Sequence, residues 1–145
     1  MQFESEMAMK GRLTIALNDE VVQEVDNLVV TTGKGYVASR MKDATATAMS
    51  HMAIGTGSTA AAAGDTALGS EAARQPLASS NGTVVSGADI TYTATFGAGV
   101  GTAAITEAAI LNASSSGTML CRTVFAVVNK GASDSMTITW TVTAS

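Results

Sequence analysis

SMTITWTVTAS, residues 135–145, alternates strictly: Met136, Ile138, Trp140 and Val142 fall on one face, and Thr137, Thr139, Thr141 and Thr143 on the other. Apolar and polar residues alternating with a period of two mark a strand with one face buried. The preceding stretch TMLCRTVFAVV (118–128) is rich in β-branched and aromatic residues, and NKGASDS between the two carries turn chemistry at Gly131 and Asp134. The two stretches are therefore expected to form an antiparallel hairpin, with Ile138 and Trp140 buried against Phe125 or Val127.

Working outward, ADITYTATF (88–96) sets Ile90, Tyr92, Ala94 and Phe96 against Thr91, Thr93 and Thr95. AAITEAAILN (103–112) follows a glycine-rich connection and reads as a strand, although its alanines also suit a helix. In the front half, GRLTIALN (11–18) places Leu13, Ile15 and Leu17 on one face, an NDE turn follows, and VVQEVDNLVV (21–30) returns as the second arm of a hairpin. GYVASRMKD (35–43) is the helix candidate, with Tyr36, Val37, Arg40 and Met41 at helical spacings and no proline. Some eight short strands joined by Gly, Asn, Asp and Ser connections predict an all-β fold. The expected form is an antiparallel β-sandwich, jelly-roll or immunoglobulin-like, with one short helix. It occupies residues 11–145 as one domain, with no internal repeat or linker, and an extended N-terminal arm covers residues 1–10.

The chain has 145 residues, enough to bury one sizeable core. Only 14% are charged, against about a quarter in ordinary soluble domains, and the net charge is -4. A surface of Thr, Ser, Ala and Gly suits a protein that lives packed against others. Eight Lys and Arg residues, spread singly, make no basic stripe, so no nucleic-acid partner is expected. No apolar run of about 18 residues is present to span a bilayer, and MQFESEMAMKGR lacks the apolar centre of a secretory signal. Cys121 is the single cysteine, set in an apolar strand where a thiol packs rather than reacts.

HMAIGTGSTAAAAGDTALGSE (51–71) raises the question of a phosphate loop through Gly55 and Gly57. A dinucleotide loop needs G-x-G-x-x-G between a strand and a long helix. Here the third glycine is missing, and Gly64 and Gly69 break any helix. Residues 55–66 are read as a structured loop outside the core, with Gly55 or Gly57 at positive φ and no nucleotide. TTGKGY (31–36) fails as a P-loop, because Leu28 stands at the first glycine position and Gly35 replaces the magnesium-binding hydroxyl; it reads as a turn.

His51 is the single histidine and is expected to be a half-buried structural side chain, which leaves no multi-histidine metal site. Asp65, Glu71 and Glu107 are carboxylates that folding can gather, but no spacing pairs two of them on one face. SSS (114–116) and GST (57–59) read as turn residues before nucleophiles. No catalytic residue, cofactor or metal is assigned, and the expectation is a protein that is not an enzyme.

The segments LVVTTGKGYVASRMKD, HMAIGTGSTAAAAGDTALGSEAAR and ITEAAILNASSSGTMLCRTVFAVVNKGASDSMTITWTV resemble a group of small structural proteins of tailed bacteriophages and prophages. In that group a similar string runs from a "GK" turn, through an "ALGTGTTAP" type loop, to a "MLARTVF…VNKG…TITWTVT" C-terminal hairpin. The resemblance spans roughly residues 28–143, and Ala60 to Ala63 depart from it where a proline commonly follows the threonine. Members are described as head decoration, tail fibre or baseplate proteins.

The resemblance implies a virion protein made in the host bacterial cytoplasm. One reading is a decoration or cement protein, often a homotrimer, on the capsid exterior, whose partners are the major capsid protein and copies of itself. The other is a tail, baseplate or fibre subunit acting in host attachment. A compact chain without a repetitive shaft favours decoration. The arm MQFESEMAMK supplies Phe3, Met7 and Met9 as candidate partner contacts, because such an arm orders by adding to a neighbour's surface. A carbohydrate-binding module would want exposed aromatics, and the three Phe, two Tyr and one Trp fall mainly at alternating, inward strand positions.

Overall fold

The computed structural model describes residues 8–42, 46–78 and 83–144. Its nine strands are β1 (Met9–Leu17), β2 (Glu20–Val29), β3 (His51–Gly55), β4 (Glu71–Pro76), β5 (Thr83–Ser86), β6 (Asp89–Phe96), β7 (Ala103–Leu111), β8 (Met119–Lys130) and β9 (Met136–Ala144). One helix, α1 (Thr31–Arg40), lies between β2 and β3. Every strand pairing is antiparallel, in the order β4-β3-β7-β8-β2-β1-β9-β6-β5.

The antiparallel β class and the single short helix are as expected, but the sheet is continuous and curled into a half-barrel where two separate sheets were anticipated. The cause lies in β2, which pairs along its length with β1 and then, at Leu28 and Val29, with Arg122 and Cys121 of β8. That strand belongs to both halves and welds them together. The far edge curls back as well, since just beyond β4 the amide of Ala78 donates to the carbonyl of Thr93 in β6 (3.0 Å).

The β1–β2 hairpin forms as read, closed by Asn18 and Asp19 at φ 51° and 67°. Two consecutive left-handed residues give the turn whose twist matches the flanking strands, and Asn and Asp are the non-glycine residues that accept it most readily. The Asn18 side chain donates to Asp134 Oδ1 (2.8 Å) and accepts from the Ser135 amide (2.9 Å), tying this turn to the loop before β9.

The expected β8–β9 hairpin does not form. β9 pairs with β1 on one side and β6 on the other, whereas β8 pairs with β7 and β2. The connection at residues 131–135 therefore crosses from one limb of the curled sheet to the other. Ile138 and Trp140 are fully buried as expected, and Phe125 shares their core, but from the other limb of the sheet and not from a neighbouring strand. Val127 is 52% exposed and is no part of this core.

Inward residues of both limbs fill one apolar interior: Leu13, Ile15, Phe96, Ile138 and Trp140 from one, and Met52, Ile54, Ile105, Ile110 and Cys121 from the other. Outside β6 and β9 lies a face of paired threonines, Thr91 opposite Thr141, Thr93 opposite Thr139 and Thr95 opposite Thr137, with hydroxyl contacts of 3.1 Å and 2.9 Å at the first and last pairs. The sequence AAITEAAIL is strand and not helix, because it is sandwiched between β3 and β8 with both faces covered.

The helix lies four residues upstream of the expected position, and TTGKGY is its first turn and a half where a free turn was read. Tertiary contacts choose this start. The Thr31 amide donates to Ala63 (2.8 Å) and the Thr32 hydroxyl donates to the Met119 carbonyl (3.0 Å). Gly33 presses on β8 so closely that a Cβ there would lie 2.0 Å from the Leu120 carbonyl oxygen. The sheet also begins earlier than expected: Met9 and Lys10, assigned to the arm, pair with Ala144 and Thr143 as the first residues of β1. Among the described residues no helix is long and apolar enough to cross a membrane.

Candidate functional site

The loop at residues 56–70 covers the outer face of β3, β7 and β8, and two charged side chains lie beneath it. Glu107 of β7 is fully buried and Arg122 of β8 is 2% exposed. Glu107 is the one charge in β7 and Arg122 the one charge in the first ten residues of β8, and the β7–β8 pairing brings both to the face that the loop roofs. Arg122 donates to Glu107 Oε2 (2.8 Å), Asp65 Oδ2 (2.8 Å) and the Thr59 carbonyl (3.0 Å). Glu107 also accepts the backbone amides of Ser70 (2.8 Å) and Gly69 (3.0 Å). Burial alone pushes the Glu107 carboxyl up, but the amides and the guanidinium outweigh it and hold the group below its ordinary range. The Ala62 amide leads in holding Asp65 low, with Arg122 adding to it against burial.

This network answers the question raised by Gly55 and Gly57. A Cβ on Gly57 would stand 2.6 to 2.8 Å from three atoms of the Glu107 carboxyl group, and one on Gly55 would meet the Ser70 carbonyl at 2.3 Å and Glu107 at 2.6 Å. The glycine-rich loop does cradle an anion, and the anion is the chain's own Glu107. The glycines serve close approach and not turn geometry: neither is at positive φ, contrary to the expectation from sequence, and among the described residues the glycines that are at positive φ are 87, 99, 101 and 117. Gly55 itself is buried at the end of β3, while the loop beyond it runs mostly exposed.

At one end of the half-barrel an apolar groove of about 560 Å³ opens between α1 and the ends of β1, β6 and β9. Met9, Tyr36, Val37, Met41, Met49 and Val85 are among the residues that line it. Met41 is 81% exposed and Val85 68%. A smaller recess of about 390 Å³ adjoins it, sharing Met9, Val37 and Met41 and adding Ala8 and Lys34. The Arg40 guanidinium stands 5.8 Å from the centre of the Tyr36 ring and donates to the Ala46 carbonyl (2.8 Å), so the rim carries positive charge above an apolar floor.

Of the candidate contact residues, Met9 lies in β1 and lines this groove, half-buried. Phe3 and Met7 lie outside the described residues. His51 is half-buried with its Nδ1 2.8 Å from the Ser50 hydroxyl. Of the three carboxylates singled out, Asp65 and Glu107 meet on Arg122, and Glu71 pairs instead with Arg74 (2.7 Å). Cys121 is fully buried, and burial pushes its thiol well up. Among the described residues no group of three or more His, Cys, Asp or Glu side chains gathers in metal-binding geometry.

The Arg122 network was missed because Asp65 joins it only through the loop's path. A lone Glu in AAITEAAIL and a lone Arg in TMLCRTVF were the available signal: a charge inside a doubly covered strand needs a partner. Comparison with known families, curated proteins and solved structures finds no match for the chain.

Proposed function

We propose that the protein is a structural component of a tailed-phage virion, a decoration protein on the capsid exterior that binds the major capsid protein and copies of itself as a homotrimer. The reading rests first on the resemblance of residues 28–143 to that group. The observation that carries it in the structure is the character of the outer surface. The face of β6 and β9 is a bank of threonines with a single acid, Asp89, at its end, and Val21, Val22, Val84, Val85 and Val127 are all more than 40% exposed. Uncharged polar and apolar area of this kind is suited to burial against symmetry mates in a lattice.

On this reading the chemistry is adhesive. The welded sheet and the roofed Arg122 network supply a rigid body, and the threonine face and exposed valines supply contact area. The test is copy number: quantitative mass spectrometry of purified virions, scaled to the major capsid protein. A count that follows the capsid lattice is expected. A count matching the low-order symmetry of a tail assigns the chain to tail, baseplate or fibre, and absence from the particle overturns both readings. The assembly state follows from light scattering of the purified protein, where a trimer mass is expected.

A further inference from the structure

We infer that the apolar groove between α1 and the ends of β1, β6 and β9 binds a neutral amphiphile, an alkyl or acyl chain ending in a hydroxyl or carbonyl oxygen that the phenols of Tyr92 and Tyr36 receive. Three observations converge. The first is the lining. The groove holds about 560 Å³, within the range of small-molecule sites, and its walls are almost wholly carbon. Three of its side chains are methionines, Met9, Met41 and Met49, whose unbranched thioethers repack around a flexible guest.

The second is a hydroxyl set among carbon. Tyr92 of β6 is only 5% exposed and lines the groove. Among the described residues its hydroxyl makes no hydrogen bond, yet it is not one of the sealed, unpartnered polar atoms, which are those of the Asn27 amide, Arg122 Nε and Trp140 Nε1. Its oxygen therefore opens onto the groove, and a polar group in so apolar a place is costly until it finds a partner. Burial pushes this phenol up, with Cys121 and Tyr36 adding to it, so it stays a neutral group that both donates and accepts. Tyr36 of α1 lines the same groove, and its hydroxyl likewise makes no hydrogen bond among the described residues. The third is charge. Arg40 is the one charged residue of the lining, and it is already engaged by the Tyr36 ring at 5.8 Å and the Ala46 carbonyl at 2.8 Å. A carboxylate head would find no free cation there, whereas a neutral oxygen needs only the phenols. The site belongs to the single chain, so its test is independent of the virion reading.

The test uses 1-decanol as the probe and the methionines as reporters. Titrated into full-length protein with ¹³C-methyl methionine, 1-decanol is expected to bind saturably and to move the Met9, Met41 and Met49 methyl signals, leaving the core residues Met119 and Met136 in place. Tyr92→Phe and Tyr36→Phe keep the rings and should each weaken 1-decanol about two- to tenfold, the worth of one hydrogen bond. Both variants should bind butylbenzene, which has no oxygen, as wild type does, and this also shows that the groove is intact. Ala48→Trp, at an exposed position of the lining, should abolish binding of both probes. Decanoate should bind at least about fivefold more weakly than 1-decanol, because its charge is desolvated without a partner. Absence of saturable 1-decanol binding, unmoved Met9, Met41 and Met49 signals, or unchanged 1-decanol affinity in both phenylalanine variants overturns the inference. So does decanoate binding as tightly as 1-decanol.

Discussion

Gly57→Ala is a change of one methyl group whose cost the structure assigns to a single partner. The new carbon would lie 2.6 and 2.7 Å from the two Glu107 oxygens and 2.8 Å from the carboxyl carbon, well inside the roughly 3.5 Å at which such contacts become favourable. The carboxylate has nowhere cheap to retreat, because Ser70, Gly69 and Arg122 hold it by bonds of 2.8, 3.0 and 2.8 Å. Overpacking against so pinned a group costs about 1 to 3 kcal/mol, which lowers Tm by roughly 3 to 10 °C in a chain of this size. Glu107→Ala alone should cost more, about 3 to 5 kcal/mol, since Arg122 then keeps only Asp65 and the Thr59 carbonyl. In the E107A background, however, the Gly57→Ala penalty should fall to near zero, a coupling of about 1 to 3 kcal/mol. Gly55→Ala is the control, because its clash with the Ser70 carbonyl at 2.3 Å survives the loss of Glu107. Urea unfolding of the four proteins of the cycle, followed by circular dichroism, measures this. A Gly57→Ala penalty of equal size in both backgrounds refutes the cradle.

Trp140→Ala should cost about 3 to 5 kcal/mol by emptying the barrel centre, and an unchanged melting temperature would remove β9 from the core. Cys121 should resist a thiol reagent in native buffer and react fully in 6 M guanidinium; fast native labelling would contradict its burial. Stability should fall on acidification. Glu107 and Asp65 are held below their unfolded values of 4.5 and 3.8, so their contribution is full above those values and is lost as pH drops through the lower folded ones. E107Q should flatten this acid limb between pH 5 and 3, and an identical slope would place the proton uptake elsewhere.

The strands with strict alternation were legible in the sequence, because side-chain period reports which face is buried: β1, β6 and β9 lie where the pattern puts them. Partner choice was not legible. The stretch 129–135 has the composition of a hairpin turn, yet Asn18 captures Asp134 and Ser135 and carries the connection across the barrel. The start of α1 was invisible for a related reason. Gly33 weakens a helix by propensity, and only the closeness of Leu120 shows why a glycine is needed there. For the site, sequence gave the glycines without the anion, since Glu107 stands some fifty residues away on another strand. The groove has no sequence signature at all; it exists because α1 stands off from the open end of a curled sheet.

The pairing of β1 with β9, running from Met9 opposite Ala144 to Leu17 opposite Met136, has a consequence for how the molecule is made. At usual rates of synthesis β1 emerges about ten seconds before its partner. Throughout that interval the β1 edge of the β1–β2 hairpin stays bare with Leu13 and Ile15 uncovered, and β6 waits for the same partner strand from the other side. β9 is the keystone that joins them, so this half closes only after residues 136–144 have been made, and its folding is governed by non-local contacts, which are slow to form. A nascent chain stalled before β9 should expose an edge prone to pairing with its neighbours on the polysome, and a free β9 peptide should bind it.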